Sequence, residues 1–324
     1  MQLKKIQKKI NQLIFIIVIT SLTACFGQEI TIETDTLHIS NHGWLREVAF
    51  FKDNLYLLFS TDRKNTTGTF KSMKIYDSNG KFIENVFLSK EAVSMFYCDL
   101  RVNDKRLYMV QEHAFEKQTF LLEKFVADFN KIPKKDINIY EDADFIIYPN
   151  CNGEWGASIY FKDKKDNKVY EFASSCNFNF LKVEQGYLLT NKHEILIIKD
   201  PTKLYQSKLT FDRSYLEKEN QGVESFFKSE FELYKSFRMY DKLMVIYNDS
   251  KTTHIGELKN NTLTSVYRFK KPYSFSNWFT DNNNNSTILQ MFTYESLDYF
   301  GYKGFEMKGV FLISDGKFKM YHLK

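Results

Sequence analysis

The sequence predicts an all-β fold of repeated antiparallel units, and three observations carry that reading. Aromatic residues make up 17% of the 324, with 31 Phe and 20 Tyr, side chains that suit half-buried strand surfaces. Short apolar runs of strand length alternate with small polar turns along almost the whole chain. The unit of strand, connection, strand, turn, strand returns six times, at about 47 residues on average. Only 4 Pro and 13 Gly are present, which excludes collagen-like and linker-rich chains.

The first unit pairs "NLYLLFS" (Asn54–Ser60) with "SMKIYDSNGKFIENVFL" (Ser72–Leu88), turning at Asp77-Ser78-Asn79-Gly80, residues that tolerate positive φ. The second pairs "RLYMVQE" (Arg106–Glu112) with the run Phe120–Tyr140. The third is Ala157–Asp163 with Lys168–Ser174, and the fourth Gly186–Asn191 with Glu194–Phe211, turning at Asp200-Pro201. The fifth pairs Lys242–Asp249 with His254–Phe269, turning at Asn260-Asn261. The sixth pairs Thr287–Tyr294 with Gly309–Leu323, turning at Asp315-Gly316. The runs Glu47–Asp53, Ala143–Asn150 and Phe178–Gln185 read as inner strands ahead of their units. Four strands per unit at this period is the pattern of a β-propeller blade, whose two apolar faces are buried only by neighbouring blades. Tandem β-sandwiches are the alternative, since they too show short strands and frequent turns.

Irregular places are also legible. The equivalent positions Ala157 and Tyr187 lie only 30 residues apart, which leaves one unit short of an outer strand. The stretch Asp212–Phe237 is longer and more charged than a connection needs, and reads as a short helix or an inserted strand. The alternating run Glu29–Ile39 reads as a strand that closes the ring. The polar run Asp281–Ser286 reads as a turn.

The N-terminus is of a different kind. Lys4, Lys5, Lys8 and Lys9 precede a mostly apolar run from Ile10 to Leu22, too short to span about 30 Å of hydrocarbon. A basic start, a short apolar core and small residues behind it read as a secretory signal over residues 1–24. Without those four lysines the 45 basic residues become 41 against 40 acidic ones, so the formal +5 falls to about +1. No basic cluster is left to hold a phosphate backbone, which argues against a nucleic-acid partner.

The stretch Leu22-Thr23-Ala24-Cys25 resembles the lipobox of bacterial lipoproteins. That resemblance implies a diacylglycerol on the Cys25 thiol and cleavage before it. Residues 25–28 then form a lipidated or flexible tether, and 29–324 a single domain. It implies a membrane partner through the lipid, in the outer membrane or periplasm. Ordinary cleavage after Ala24 or Gln28, releasing a soluble secreted chain, stays open. The "DSNGKF" and "SDGKF" hairpins, at Asp77–Phe82 and Ser314–Phe318, give the body a resemblance to six-bladed propellers of bacterial envelope proteins. No WD or kelch signature names a narrower group.

Chemistry-bearing residues are sparse. Beyond Cys25, export leaves Cys98, Cys151 and Cys176; Cys151 and Cys176 are the nearest pair for a disulfide, and no spacing suits structural zinc. The six His are scattered, and His38 and His42 sit beside a turn rather than on one face. Glu47, Asp99, Asp144 and Glu184 recur at similar places in successive units; converging on a central channel, they would offer hard oxygen ligands to Ca²⁺, and otherwise they cap strands or pair with Lys. Trp44, Trp155 and Trp278 lie near inner strands or their loops, where they pack blades or form a ligand platform for a sugar or peptide. No nucleophile elbow, phosphate loop or paired-carboxylate pattern is present. The expectation is a non-catalytic binding or scaffold lipoprotein that recognises a protein or envelope ligand, with no cofactor. A metal-assisted hydrolase on a six-bladed scaffold and an envelope inhibitor of the immunity type are the alternatives.

Overall fold

The computed structural model describes residues 30–39, 43–60, 70–88, 90–93, 99–103, 106–113, 116–123, 126–128, 140–151, 157–174, 179–207, 222–276, 286–297 and 303–324. The chain divides into two compact units, Met1–Thr31 and Ile32–Lys324, and every strand belongs to the second. Cys25, Cys98, Cys176, Trp155, Trp278, His42 and the 281–285 run lie outside the described residues, as do the side chains of Trp44, Asp99, His113 and Cys151.

The strand β1 (Ile32–Leu37) comes first. After it come β2 (Trp44–Phe51), β3 (Asn54–Ser60), β4 (Phe70–Asp77) and β5 (Phe82–Val86), paired in that order. A one-turn helix α1 (Lys90–Val93) leads to β6 (Asp99–Asn103), β7 (Arg106–His113), β8 (Glu116–Glu123) and β9 (Val126–Asp128), again in order. Next are β10 (Tyr140–Glu141), β11 (Phe145–Cys151), β12 (Ala157–Asp163) and β13 (Val169–Ser174). Then come β14 (Asn179–Val183), β15 (Gly186–Thr190), β16 (Glu194–Ile198), β17 (Tyr205–Gln206) and β18 (Val223–Lys228). The strands β19 (Glu232–Met239), β20 (Lys242–Asn248), β21 (Thr253–Lys259) and β22 (Thr262–Arg268) form one more sheet. Last are β23 (Ser274–Ser276), β24 (Ser286–Leu297), β25 (Lys303–Ser314) and β26 (Lys317–Leu323).

The described strands form six sheets, four of four strands and two of five, so a uniform count of four does not hold. One five-stranded sheet runs β10-β11-β12-β13-β17, and its outer strand comes from beyond β16. That interleaving accounts for the short spacing between the third and fourth repeats. It also corrects the expected inner strand: the run at Phe145 is second in its sheet, inside it lies the two-residue β10, and Ala157 belongs to the third strand. The Asp212–Phe237 stretch supplies β18 and the start of β19. Asp200 caps a single 3-10 turn at Pro201–Lys203, accepting from the Thr202 amide.

The terminal sheet, β23-β24-β25-β26-β1, draws on both ends of the domain. The closing strand expected at Glu29–Ile39 is β1, and it pairs in parallel with β26, Ile32 opposite Phe318 and Leu37 opposite Leu323.

Burial falls outward across each sheet. The second strands β3 and β15 are buried on both faces, because each lies between two neighbouring sheets. The outer strands β5 and β22 are largely exposed. Sheet packs on sheet at successive apolar junctions. Met73, Ile75, Leu100 and Met109 join the β2–β5 and β6–β9 sheets. Phe145, Phe161, Phe180 and Tyr187 join the β10 and β14 sheets, and Leu188, Ile197, Leu233 and Val245 carry the packing to β19–β22. Phe237 meets Phe318 at 6.0 Å and Phe269 meets Phe311 at 5.6 Å, joining that sheet to the terminal one. The terminal sheet in turn packs on β2–β5 through Leu57, Phe59, Val310 and Tyr321. Five junctions between consecutive sheets are seen among the described residues, the last sheet packing on the first, and such stacking defines a β-propeller.

Candidate functional site

The first and second strands of three sheets close in two-residue turns, after Phe51, Val183 and Met239, and a fourth pair, β6 and β7, ends at the same face with Asn103 opposite Arg106. These turns mark one end of the propeller, here the turn face. The first strands begin at the opposite end, the mouth, where the second strands finish. Counting four residues back from each turn reaches Glu47, Asp99, Asn179 and Lys235, opposite Leu58, Val110, Thr190 and Ile246. Four first strands therefore carry a polar residue at one level near the mouth.

Two of these residues are deeply buried and touch across a junction. Asn179 is 5% exposed and Lys235 only 1%. With its amide turned to satisfy both neighbours, Asn179 accepts from Lys235 Nζ at 2.6 Å and donates to the Ser236 carbonyl at 3.2 Å. Ser236 Oγ meets Thr190 Oγ1 at 2.5 Å, so the polar level continues along the junction. A buried ammonium is tolerated only when oxygen atoms face it.

Beyond this level the strands bulge. The register of β2 shifts between Leu45 and Glu47, and that of β19 between Leu233 and Lys235. The extra residues are Arg46 and Tyr234, at equivalent places. Arg46 Nε donates to Ser60 Oγ at 2.9 Å, and Asn248 Nδ2 donates to Tyr234 Oη at 3.4 Å. Ser60 and Asn248 end their second strands at corresponding positions, opposite Trp44 and Glu232. Gln290 Nε2 donates to the Arg46 carbonyl at 2.6 Å, bringing β24 to the same rim. Bulges of this kind re-aim side chains at the rims of β structures.

The four expected acidic residues are thus divided. Glu47 and Asp99 do share a level on neighbouring first strands. Asp144 and Glu184 are exposed in turns on the other face, and Asn179 and Lys235 take the corresponding level in their sheets. Among the described residues no group of three or more His, Cys, Asp or Glu is spaced to hold a metal ion. Trp44 starts β2 at the mouth.

The turn face carries a latch that sequence reading missed. Asp142 Oδ1 accepts from the Asp144 and Phe145 amides at 3.0 and 2.9 Å, and Oδ2 accepts from Tyr187 Oη at 2.7 Å. Lys182 Nζ stands 3.7 Å from Oδ2 and 3.8 Å from the centre of the Tyr187 ring. Burial alone would raise the Asp142 carboxyl, but the Tyr187 hydroxyl, the two amides and Lys182 together hold it below its ordinary value. Burial, then the bond to Asp142, pushes Tyr187 far above the tyrosine range. The Asp142-x-Asp144 spacing ahead of an apolar run is the local signal of such a turn, since an Asp side chain caps amides two and three residues on.

A second relay lies in the fifth sheet. His254 Nε2 meets Asp249 Oδ2 at 3.0 Å, its Nδ1 meets Ser265 Oγ at 2.9 Å, and Tyr247 stacks on the ring at 5.0 Å. It braces the β20–β21 loop against β22.

No protein-family model matches the sequence, and no curated protein matches it. Solved structures do. The chain is similar to the β-propeller domain of the Trilobed protease from Pyrococcus furiosus, at 10% identity over 86% of this chain and 97% of that one, with a TM-score of 0.37. It is similar to an exo-beta-1,3-galactanase from Phanerochaete chrysosporium, at 8% identity over 87% of this chain and 77% of that one, TM-score 0.33. A putative 6-phosphogluconolactonase from Bacteroides uniformis stands at 8% identity, covering 85% and 87%, TM-score 0.31.

Proposed function

We propose that this protein is an envelope lipoprotein, held to a membrane by lipid on Cys25, whose propeller binds a protein or envelope ligand at its mouth without catalysis. The observation that carries it is the bulged rim, where the partly exposed Arg46 and Tyr234 stand at equivalent places on β2 and β19, braced from below by the buried Asn179 and Lys235. Hydrogen-bonding groups of both signs, fixed on rigid first strands, suit recognition of a polar partner.

The test is affinity capture from envelope extracts with the full chain in detergent. Wild type and Lys165→Ala should retain the same partner, whereas Arg46→Ala, a change at the partly exposed rim, should lose it while keeping wild-type circular dichroism. Retention by every variant would place the binding surface elsewhere. Turnover of a substrate by the purified chain, abolished by Glu47→Gln, would replace the reading with an enzymatic one.

A further inference from the structure

We propose that the turn face of the propeller lies toward the bilayer and that the mouth is presented to water, so that its ligand arrives from the aqueous side. This deepens the anchored reading and rests on lipid attachment at Cys25. The direction of β1 carries it. Because β1 runs parallel to β26, its first residue Ile32 lies beside Phe318, just after the Asp315-Gly316 turn. A Cβ placed on Gly316 would come 3.1 Å from the Tyr240 hydroxyl, and Tyr240 belongs to the two-residue turn between β19 and β20. The chain therefore enters the domain on the turn face. It then leaves β1 toward Trp44, where β2 starts at the mouth.

Length makes this entry decisive. Cys25 precedes Ile32 by seven residues, which span at most about 25 Å when fully extended. The eight residues of β2 cover about 26 Å from mouth to turn. A lipid entering beside the turn face thus has no slack to bring the mouth onto the bilayer. Even a fully stretched tether laid along the flank would fall just short, and stretching it carries a large cost in chain entropy.

The experiment places one fluorophore, through a genetically encoded reactive residue, at either Gln185 or Lys251. Both are exposed; Gln185 lies in the turn between β14 and β15, and Lys251 in the loop between β20 and β21 at the mouth. The lipidated full chain is reconstituted into phosphatidylethanolamine–phosphatidylglycerol vesicles carrying a short-range quencher on the headgroups. Quenching about threefold stronger at Gln185 than at Lys251 is expected from the depth of one strand. Equal quenching, or stronger quenching at Lys251, overturns the orientation. Cys25→Ala in parallel should float free of the vesicles. If it stays bound like wild type, the anchor reading itself fails and the orientation falls with it.

Discussion

Leu37→Ala tests whether the parallel strand β1 closes the propeller. Leu37 is fully buried against Leu45, Leu55, Tyr76 and Tyr321, residues of two sheets that are far apart in sequence. Truncation removes three carbon groups, worth about 2.4 kcal/mol at about 0.8 kcal/mol each. The cavity left behind raises the loss toward about 3–5 kcal/mol, because a site lined from two sheets collapses only in part. Urea unfolding, monitored by tryptophan fluorescence and circular dichroism, reads the loss as a lower midpoint at unchanged slope. Leu263→Ala, at a half-buried position on the outer strand β22, is the reference and should cost less than half as much. A loss below about 1 kcal/mol for Leu37→Ala would mean that β1 contributes little to the fold, and would refute closure by this strand.

The same geometry sets other outcomes. Asp142→Asn should flatten the acid side of the stability profile. The Asp142 carboxyl is lower in the folded chain than in the unfolded one, so its contribution is present above the unfolded value and lost as pH falls through the folded one. Unfolding midpoints measured from pH 7 down to pH 3 check this, and an unchanged acid slope would remove the latch from the account. Gly309→Ala should cost about 1–3 kcal/mol, because its Cβ would run into the Tyr321 carbonyl and stand 2.7 Å from Met291 Cε. Ser236→Ala leaves the Thr190 hydroxyl without that partner and should cost about 1–2 kcal/mol, read by thermal unfolding. Alkylation of the unreduced, unfolded chain, read by mass spectrometry, decides the Cys151–Cys176 pairing that the sequence allows: labelling of Cys98 alone shows the disulfide, and labelling of all three rules it out.

Much of the architecture was legible because strand burial leaves a period-2 imprint and turns need particular residues. Asn260-Asn261 and Asp315-Gly316 adopt the positive φ that their residue types allow, and each sits where a hairpin turn was expected. The inner strands were harder. Two-residue β10 has no periodicity to detect, so the longer run at Phe145 took its place in the reading. The interleaved β17 is also only two residues long, and its pairing of Tyr170 with Gln206 reaches past β14, β15 and β16. The polar level was half legible. Glu47 and Asp99 looked equivalent because both stand on first strands, but Asp144 and Glu184 matched them only in position along a repeat. Level is set by distance from the turn. Measured that way the sheet of Glu184 carries an amide, Asn179, and the β19–β22 sheet an ammonium, Lys235, which no search for carboxylates would find.

The two ends of the propeller divide its work. At the turn face Asp142, Lys182 and Tyr187 satisfy one another across a junction, and aromatic rings at Phe145, Phe180 and Tyr187 pack beneath them. Such a cluster fixes neighbouring sheets and leaves few groups to offer a ligand. At the mouth the bulges at Arg46 and Tyr234 interrupt the ladder, and polar side chains occupy levels where aliphatic ones would pack with less cost. A sequence that keeps apolar second strands such as β15 and yet places Asn179 and Lys235 in the adjoining first strands gives up stability at that level. In the proposed binding role, the compensation is a rigid rim at the mouth. An anchor entering at the opposite face would leave that rim clear of lipid. The same parallel strand that closes the ring would then also set which end meets the partner.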